Sequence, residues 1–98
     1  MNSNMIKENI TEIANLFKSL HKKEDISDFM LEILTKSELE TLSKRWCILK
    51  KLSQGLTQRE IAKEFNVSLC KVTRGAKILK DKNAITTKYL TKGIKNGK

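Results

Sequence analysis

The sequence contains no proline and only four glycines, Gly55, Gly75, Gly93 and Gly97. Hairpins and sandwiches depend on that punctuation, so its scarcity predicts an all-α chain. Cysteine is equally thin: Cys47 and Cys70 stand too far apart for a disulfide framework or a metal-ligand pattern, and His21, the one histidine, brings no third ligand near them. Reduced thiols, no metal and no cofactor are expected. No apolar run reaches the length of a membrane span, and the N-terminus lacks the basic, apolar and small-residue order of an export leader. The expectation is a cytoplasmic chain with no membrane partner. Paired carboxylates, an activated nucleophile and a phosphate-cradling glycine loop are also missing, which argues against an enzyme.

What the chain does have is positive charge, +9 overall, distributed unevenly. Residues 1–43 hold 5 basic and 8 acidic side chains, residues 44–80 hold 10 and 2, and residues 81–98 hold 5 and 1. A basic total alone fits nucleic acid, an acidic lipid face or neither. Its concentration in the middle segment is the footprint expected of a face that meets double-stranded DNA. With 98 residues the chain amounts to at most one domain. A chain this short buries a small fraction of its surface unless it shares a core with a partner, which makes a homodimer an expectation from length.

Apolar periodicity predicts six helices. Ile6, Ile10, Ile13, Phe17 and Leu20 form one stripe at spacings of three and four, giving a first helix over Ile6–Leu20. After a polar break at residues 21–25, a short helix from about Ser27 ends at Leu34, with Phe29, Met30, Ile33 and Leu34 on its buried side. Thr35-Lys36-Ser37-Glu38 has the form of a capping box and opens a third helix that runs to about Ser53 and stops at Gly55. Thr57-Gln58-Arg59-Glu60 repeats that form ahead of a fourth helix over Gln58–Phe65, and Ser68 caps a fifth over Leu69–Lys80. A last helix is expected around Thr86–Leu90, followed by a flexible tail from about residue 91 to 98. The whole chain reads as a single domain, 1–98.

Residues 57–80 carry the most specific pattern, that of a helix-turn-helix. Two helices crossing over a short turn need facing apolar side chains, a small residue at the crossing and a turn residue that tolerates left-handed geometry. Ile61 and Phe65 against Val67, Val72 and Leu79, with Ala62 and Asn66, meet those needs. Lys71, Arg74, Lys77 and Lys80 then follow at intervals of three with no acid between them, which suits a major groove and its flanking phosphates. Direct base readout falls to Leu69, Cys70, Lys71, Thr73 and Arg74, of which Lys71, Arg74 and Thr73 have hydrogen-bonding groups suited to base edges.

The stretch from about Leu34 to Lys80 resembles the bacterial tryptophan repressors. The resemblance rests on Leu34-Thr35 with Glu38, on Lys44-Arg45-Trp46-Cys47-Ile48-Leu49, and on Thr57-Gln58-Arg59-Glu60-Ile61 with Val72-Thr73-Arg74-Gly75. A generic helix-turn-helix does not call for Arg45, nor for Thr73-Arg74-Gly75 inside the reading helix. The resemblance implies an intertwined, all-helical homodimer that binds free L-tryptophan as a regulatory ligand. By position, Arg45 and Arg74 sandwich the indole, Thr35 and Arg74 take the carboxylate, and the backbone carbonyls of Glu32 and Leu34 take the ammonium, with Gly75 and Ile78 completing the pocket. A guanidinium over an indole face gains about 0.5 to 2 kcal/mol, and its fork matches a carboxylate. Gln58 and Arg59 fall where the family makes phosphate and base contacts. The ligand would then stabilise the orientation in which two heads span successive major grooves, about 34 Å apart.

Each of these residues also has an ordinary reading. Arg45 can be a snorkelling side chain on an apolar helix. Trp46 belongs to its apolar stripe and is expected in core or dimer packing, and Cys70 is either a base contact or simply small enough for close approach. Ile78 stands where the family often has a serine that helps to hold the amino group, and Gly55-Leu56-Thr57 is one residue shorter than the corresponding connection in the best-known members. The alternative is therefore a ligand-independent DNA-binding protein, a constitutive regulator or a transposition-related module. A scaffold that binds protein through its basic face is a third possibility.

Overall fold

A computed structural model describes residues 1–95, the side chains of 93–95 excepted. Among the described residues the chain is all helical, with six helices and no strand: α1 (Ser3–Ser19), α2 (Lys23–Ile33), α3 (Lys36–Ser53), α4 (Gln58–Phe65), α5 (Leu69–Lys80) and α6 (Ile85–Lys95). It divides into two units, Met1–Leu39 and Glu40–Lys98, with the boundary inside α3. No helix is long and apolar enough to cross a membrane, and no cluster of three or more His, Cys, Asp or Glu side chains could hold a metal ion, among the described residues.

In the first unit α1 begins earlier than its apolar stripe, because the Asn2 side chain accepts a hydrogen bond from the Met5 backbone N–H at 2.9 Å and caps the helix. The second helix also starts earlier than expected, at Lys23 rather than Ser27. Glu24 and Asp25 belong to its first turn, where negative charge complements the positive end of the helix, and the polar break shrinks to residues 20–22. Phe17 and Phe29 meet edge to face at 5.6 Å and pin α1 to α2. Ile13, Leu20, Ile26, Met30 and Leu34 are half-buried beside them. Ile33, expected on the buried side, is 55 % exposed, and Ile6 and Ile10 of the α1 stripe are 48 % and 60 % exposed. The capping box ahead of α3 is formed: Glu38 Oε1 accepts from the Thr35 N–H at 2.8 Å, and Thr35 Oγ1 accepts from the Glu38 N–H at 3.1 Å.

The second unit holds the core. Ile48, Ile61 and Val72, from α3, α4 and α5, are buried together, with Leu52, Leu56, Ala62, Phe65 and Val67 packed around them. Two turns of the same construction set the helix directions. At the end of α3, the Leu56 N–H reaches the Lys51 carbonyl at 3.3 Å and the Gly55 N–H reaches Leu52 at 3.1 Å, which requires Gly55 in the left-handed region, φ +94°. At the end of α4, the Val67 N–H reaches Ala62 at 3.0 Å and the Asn66 N–H reaches Lys63 at 3.3 Å, with Asn66 at φ 51°. The last helix is longer than expected. It runs from Ile85 to Lys95, so residues 91–95 are helical rather than tail, and residues 96–98 of the expected flexible tail lie outside the described residues.

Candidate nucleic-acid interface

The basic face is built on α5, whose position is fixed from three sides. Its first turn is capped by Ser68, whose hydroxyl accepts from the Lys71 N–H at 3.4 Å. Its packed side holds Val72, fully buried against Ile48 and Ile61. At Gly75 the helix comes so close to α3 that an added Cβ would stand 3.2 Å from Ile48 Cγ2 and 3.3 Å from Leu52 Cδ1. Gly75 thus serves packing, a role that has no local signature in the sequence. With Val72 and Gly75 inward, Leu69, Cys70, Lys71, Thr73, Arg74, Lys77, Ile78 and Lys80 are all exposed. The positive charges Lys71, Arg74, Lys77 and Lys80 are therefore all exposed along one anchored helix.

The preceding helix is held as firmly. Thr57 and Glu60 form a reciprocal capping box, each accepting from the other's backbone N–H at 3.2 Å. Arg59 is exposed and Gln58 half-buried. One bond links the two helices through side chains: Thr73 Oγ1 lies 2.9 Å from Gln58 Oε1, and also 2.9 Å from the Leu69 carbonyl oxygen. Periodicity cannot foresee such a pairing, since the partners are fifteen residues apart.

Two further residues emerge only from the fold. The Thr87 hydroxyl of α6 donates to the Ile78 carbonyl at 3.0 Å, a second bond to an oxygen that also accepts from the Asp81 N–H at 3.1 Å. Tyr89 places its ring 6.0 Å from that of Trp46, while Leu90 is buried. Trp46 is 38 % exposed, so it is neither fully core nor free.

The residues expected to hold a ligand are spread along the chain. Arg45 is exposed on α3, one helical turn before Ile48, and Arg74 is exposed immediately before Gly75. Gly75 and Ile48 are themselves close neighbours where α5 meets α3. In the first unit, Glu32 and Thr35 are exposed and Leu34 is half-buried, with Thr35 engaged as the cap of α3.

A sequence model described as Trp repressor protein matches residues 8–93. A Trp operon repressor homolog of Chlamydia trachomatis serovar D is 34 % identical over 80 residues, covering 81 % of this chain and 85 % of that protein. One from Chlamydia caviae is 36 % identical over 70 residues, 70 % of this chain and 69 % of its own. One from Xylella fastidiosa strain M23 is 42 % identical over 72 residues, 69 % and 78 % respectively. No solved structure matches the chain. The chain belongs to the Trp repressor protein family and is a repressor-type regulator.

Proposed function

We propose that this protein represses transcription by binding a palindromic operator as a homodimer, with α4 and α5 as its helix-turn-helix and L-tryptophan as corepressor. The observation that carries the reading is the exposed row Lys71, Arg74, Lys77 and Lys80 on a helix whose opposite side is locked by buried Val72 and Gly75. A rigid helix with exposed cations along its length can enter a major groove while its ends meet phosphates. Lys71 and Arg74 supply donors for base edges, Leu69 and Cys70 supply apolar contact, and Arg59, Lys77 and Lys80 pair with the backbone.

The ligand reading rests on the exposed Arg45, one turn before Ile48 in α3, and the exposed Arg74, next to Gly75 where α5 meets α3. In it, the two guanidiniums stack on the indole and Arg74 pairs with the carboxylate alongside Thr35. Glu32 and Leu34 offer backbone carbonyls to the ammonium, and Gly75 and Ile78 bound the site. Residues 1–98 then act as a single domain completed by a second copy, in the cytoplasm where DNA and the free amino acid meet. Dimerisation is supported by the apolar surface that the first unit leaves uncovered at Met5, Ile6, Ile10 and Leu31.

Ile78 offers no hydrogen bond to an amino group, and this favours the second reading, a DNA-binding repressor without a ligand. Duplexes selected by the protein from a random pool in the presence of L-tryptophan, followed by calorimetry of the protein with L-tryptophan, separate the two. Heat of binding with L-tryptophan supports corepression. Selected duplexes without any such heat leave the ligand-independent repressor, and failure to select any duplex defeats both.

A further inference from the structure

Three helices open on a hydroxyl that accepts from the backbone N–H three residues on: Thr35 from Glu38 for α3, Thr57 from Glu60 for α4, and Ser68 from Lys71 for α5. In the first two the glutamate closes the box by accepting from the hydroxyl residue's own N–H, at 2.8 and 3.2 Å. The third box cannot close, because an ammonium accepts no hydrogen bond. It also sets a cation at the positive end of a helix, whereas α2, α3 and α4 carry acids in their first turns. Its hydroxyl bond is the longest of the three, 3.4 Å against 3.1 and 3.2 Å. Lys71 thus works against the helix it opens, and a local rule broken in this way points to a functional position.

What Lys71 offers in return is specific. Its side chain is exposed, and residues 65–80 contain no acid to pair with it. Leu69 and Cys70, its neighbours in the first turn, bring no strong donor. The Thr73 hydroxyl is engaged within the protein, 2.9 Å from both Gln58 Oε1 and the Leu69 carbonyl oxygen. Lys71 is therefore the strong donor of the first turn of α5, the part of a reading helix that meets base edges.

We propose that Lys71 is a specificity-determining residue that reads a guanine in the major groove, donating to its N7 and O6. This rests on the reading of α4 and α5 as a DNA-binding unit and names a base that the unit selects. An ammonium has three donors and no acceptor. Guanine alone presents two adjacent acceptors on its major-groove edge, whereas adenine sets a donor beside its acceptor, thymine a methyl group, and cytosine a donor only. A phosphate is the other acceptor-only target, but a phosphate contact is the same on every duplex and a guanine contact is not.

The experiment measures binding of the full-length chain, with L-tryptophan present, to a mixed-sequence duplex and to a duplex selected by the wild-type protein. In copies of the selected duplex each guanine in turn is replaced by 7-deazaguanine, which lacks the N7 acceptor and keeps the base pair. One replacement is expected to weaken wild-type binding about tenfold, the effect of one hydrogen bond to a charged group. Lys71→Met, similar in length but without donors, is expected to bind that copy and the original equally, so that the two losses do not add. Its preference for the selected over the mixed duplex is expected to fall about tenfold as well. Because this variant removes a cation from a first turn, its denaturation midpoint is expected to equal or exceed that of wild type, which separates lost selectivity from lost folding.

Three results overturn the proposal. If Lys71→Met weakens both duplexes by one factor, Lys71 meets phosphate. If every 7-deazaguanine copy costs Lys71→Met as much as it costs wild type, other side chains read the guanines. If wild-type protein binds every substituted copy as well as the original, no guanine is read through N7, a result that needs no variant. Wild-type protein without affinity for either duplex would instead defeat the DNA-binding reading itself.

Discussion

Gly75 shows how much one hydrogen atom in place of a side chain can decide. Alanine there adds helix propensity but puts a Cβ at 3.2 Å from Ile48, so gain and clash oppose each other. Valine adds two methyl groups to the same space and leaves no such balance. Gly75→Val is expected to destabilise the fold by about 1 to 3 kcal/mol, read as a lower denaturation midpoint at unchanged slope. A midpoint equal to wild type would mean that α5 is not seated on α3 as described. The arginine and lysine positions are separable in the same way. Lys77→Ala is expected to weaken binding to every duplex and to lower the salt slope by about 0.9 for each phosphate that is no longer neutralised. Arg45→Ala, under the proposed corepressor scheme, removes only the dependence on tryptophan. Equal weakening of ligand-free binding by Arg45→Ala would contradict its place in a pocket.

Among the elements, the helix boundaries set by local chemistry were legible in the sequence. Thr35 with Glu38, Thr57 with Glu60, and Ser68 are caps made within one turn, and Asn66 and Gly55 take the left-handed positions that terminate their helices. Accordingly α4 and α5 have the expected bounds. Thr57→Ala is expected to cost about 1 kcal/mol and to loosen hydrogen-exchange protection first in α4. Protection weakened evenly along the chain would show the cap to be dispensable. The less legible elements were those whose limits depend on something other than an apolar stripe. The first helix gains a turn from the Asn2 cap, the second from acids that read as a break, and the sixth runs on to Lys95. Pairings between distant residues had no local signal at all. Gln58 with Thr73, Thr87 with the Ile78 carbonyl, and Trp46 with Tyr89 arise only once the helices are packed.

For the whole molecule, the two units differ in how well they stand alone. The second buries Ile61 and Val72 completely, whereas no residue of α1 or α2 is buried. A helix pair with so much apolar surface open to water gains little from burial, and the proposed second copy supplies the missing cover. Ile6→Glu with Ile10→Glu is expected to convert a dimer to a monomer in analytical ultracentrifugation and to remove the concentration dependence of Tm. A wild-type chain that sediments as a monomer with a concentration-independent Tm would contradict this. The charge asymmetry legible in the sequence fits the same division, since the net positive charge belongs to residues 44–98. The proposal that joins these features is a DNA-binding face aimed by a ligand. Its most direct test is fluorescence anisotropy of a selected duplex titrated with the wild-type protein, with and without saturating L-tryptophan. The account predicts tighter binding with the ligand and a smaller gain for Arg74→Lys, which keeps the charge but not the planar fork. Equal affinity with and without L-tryptophan would contradict it.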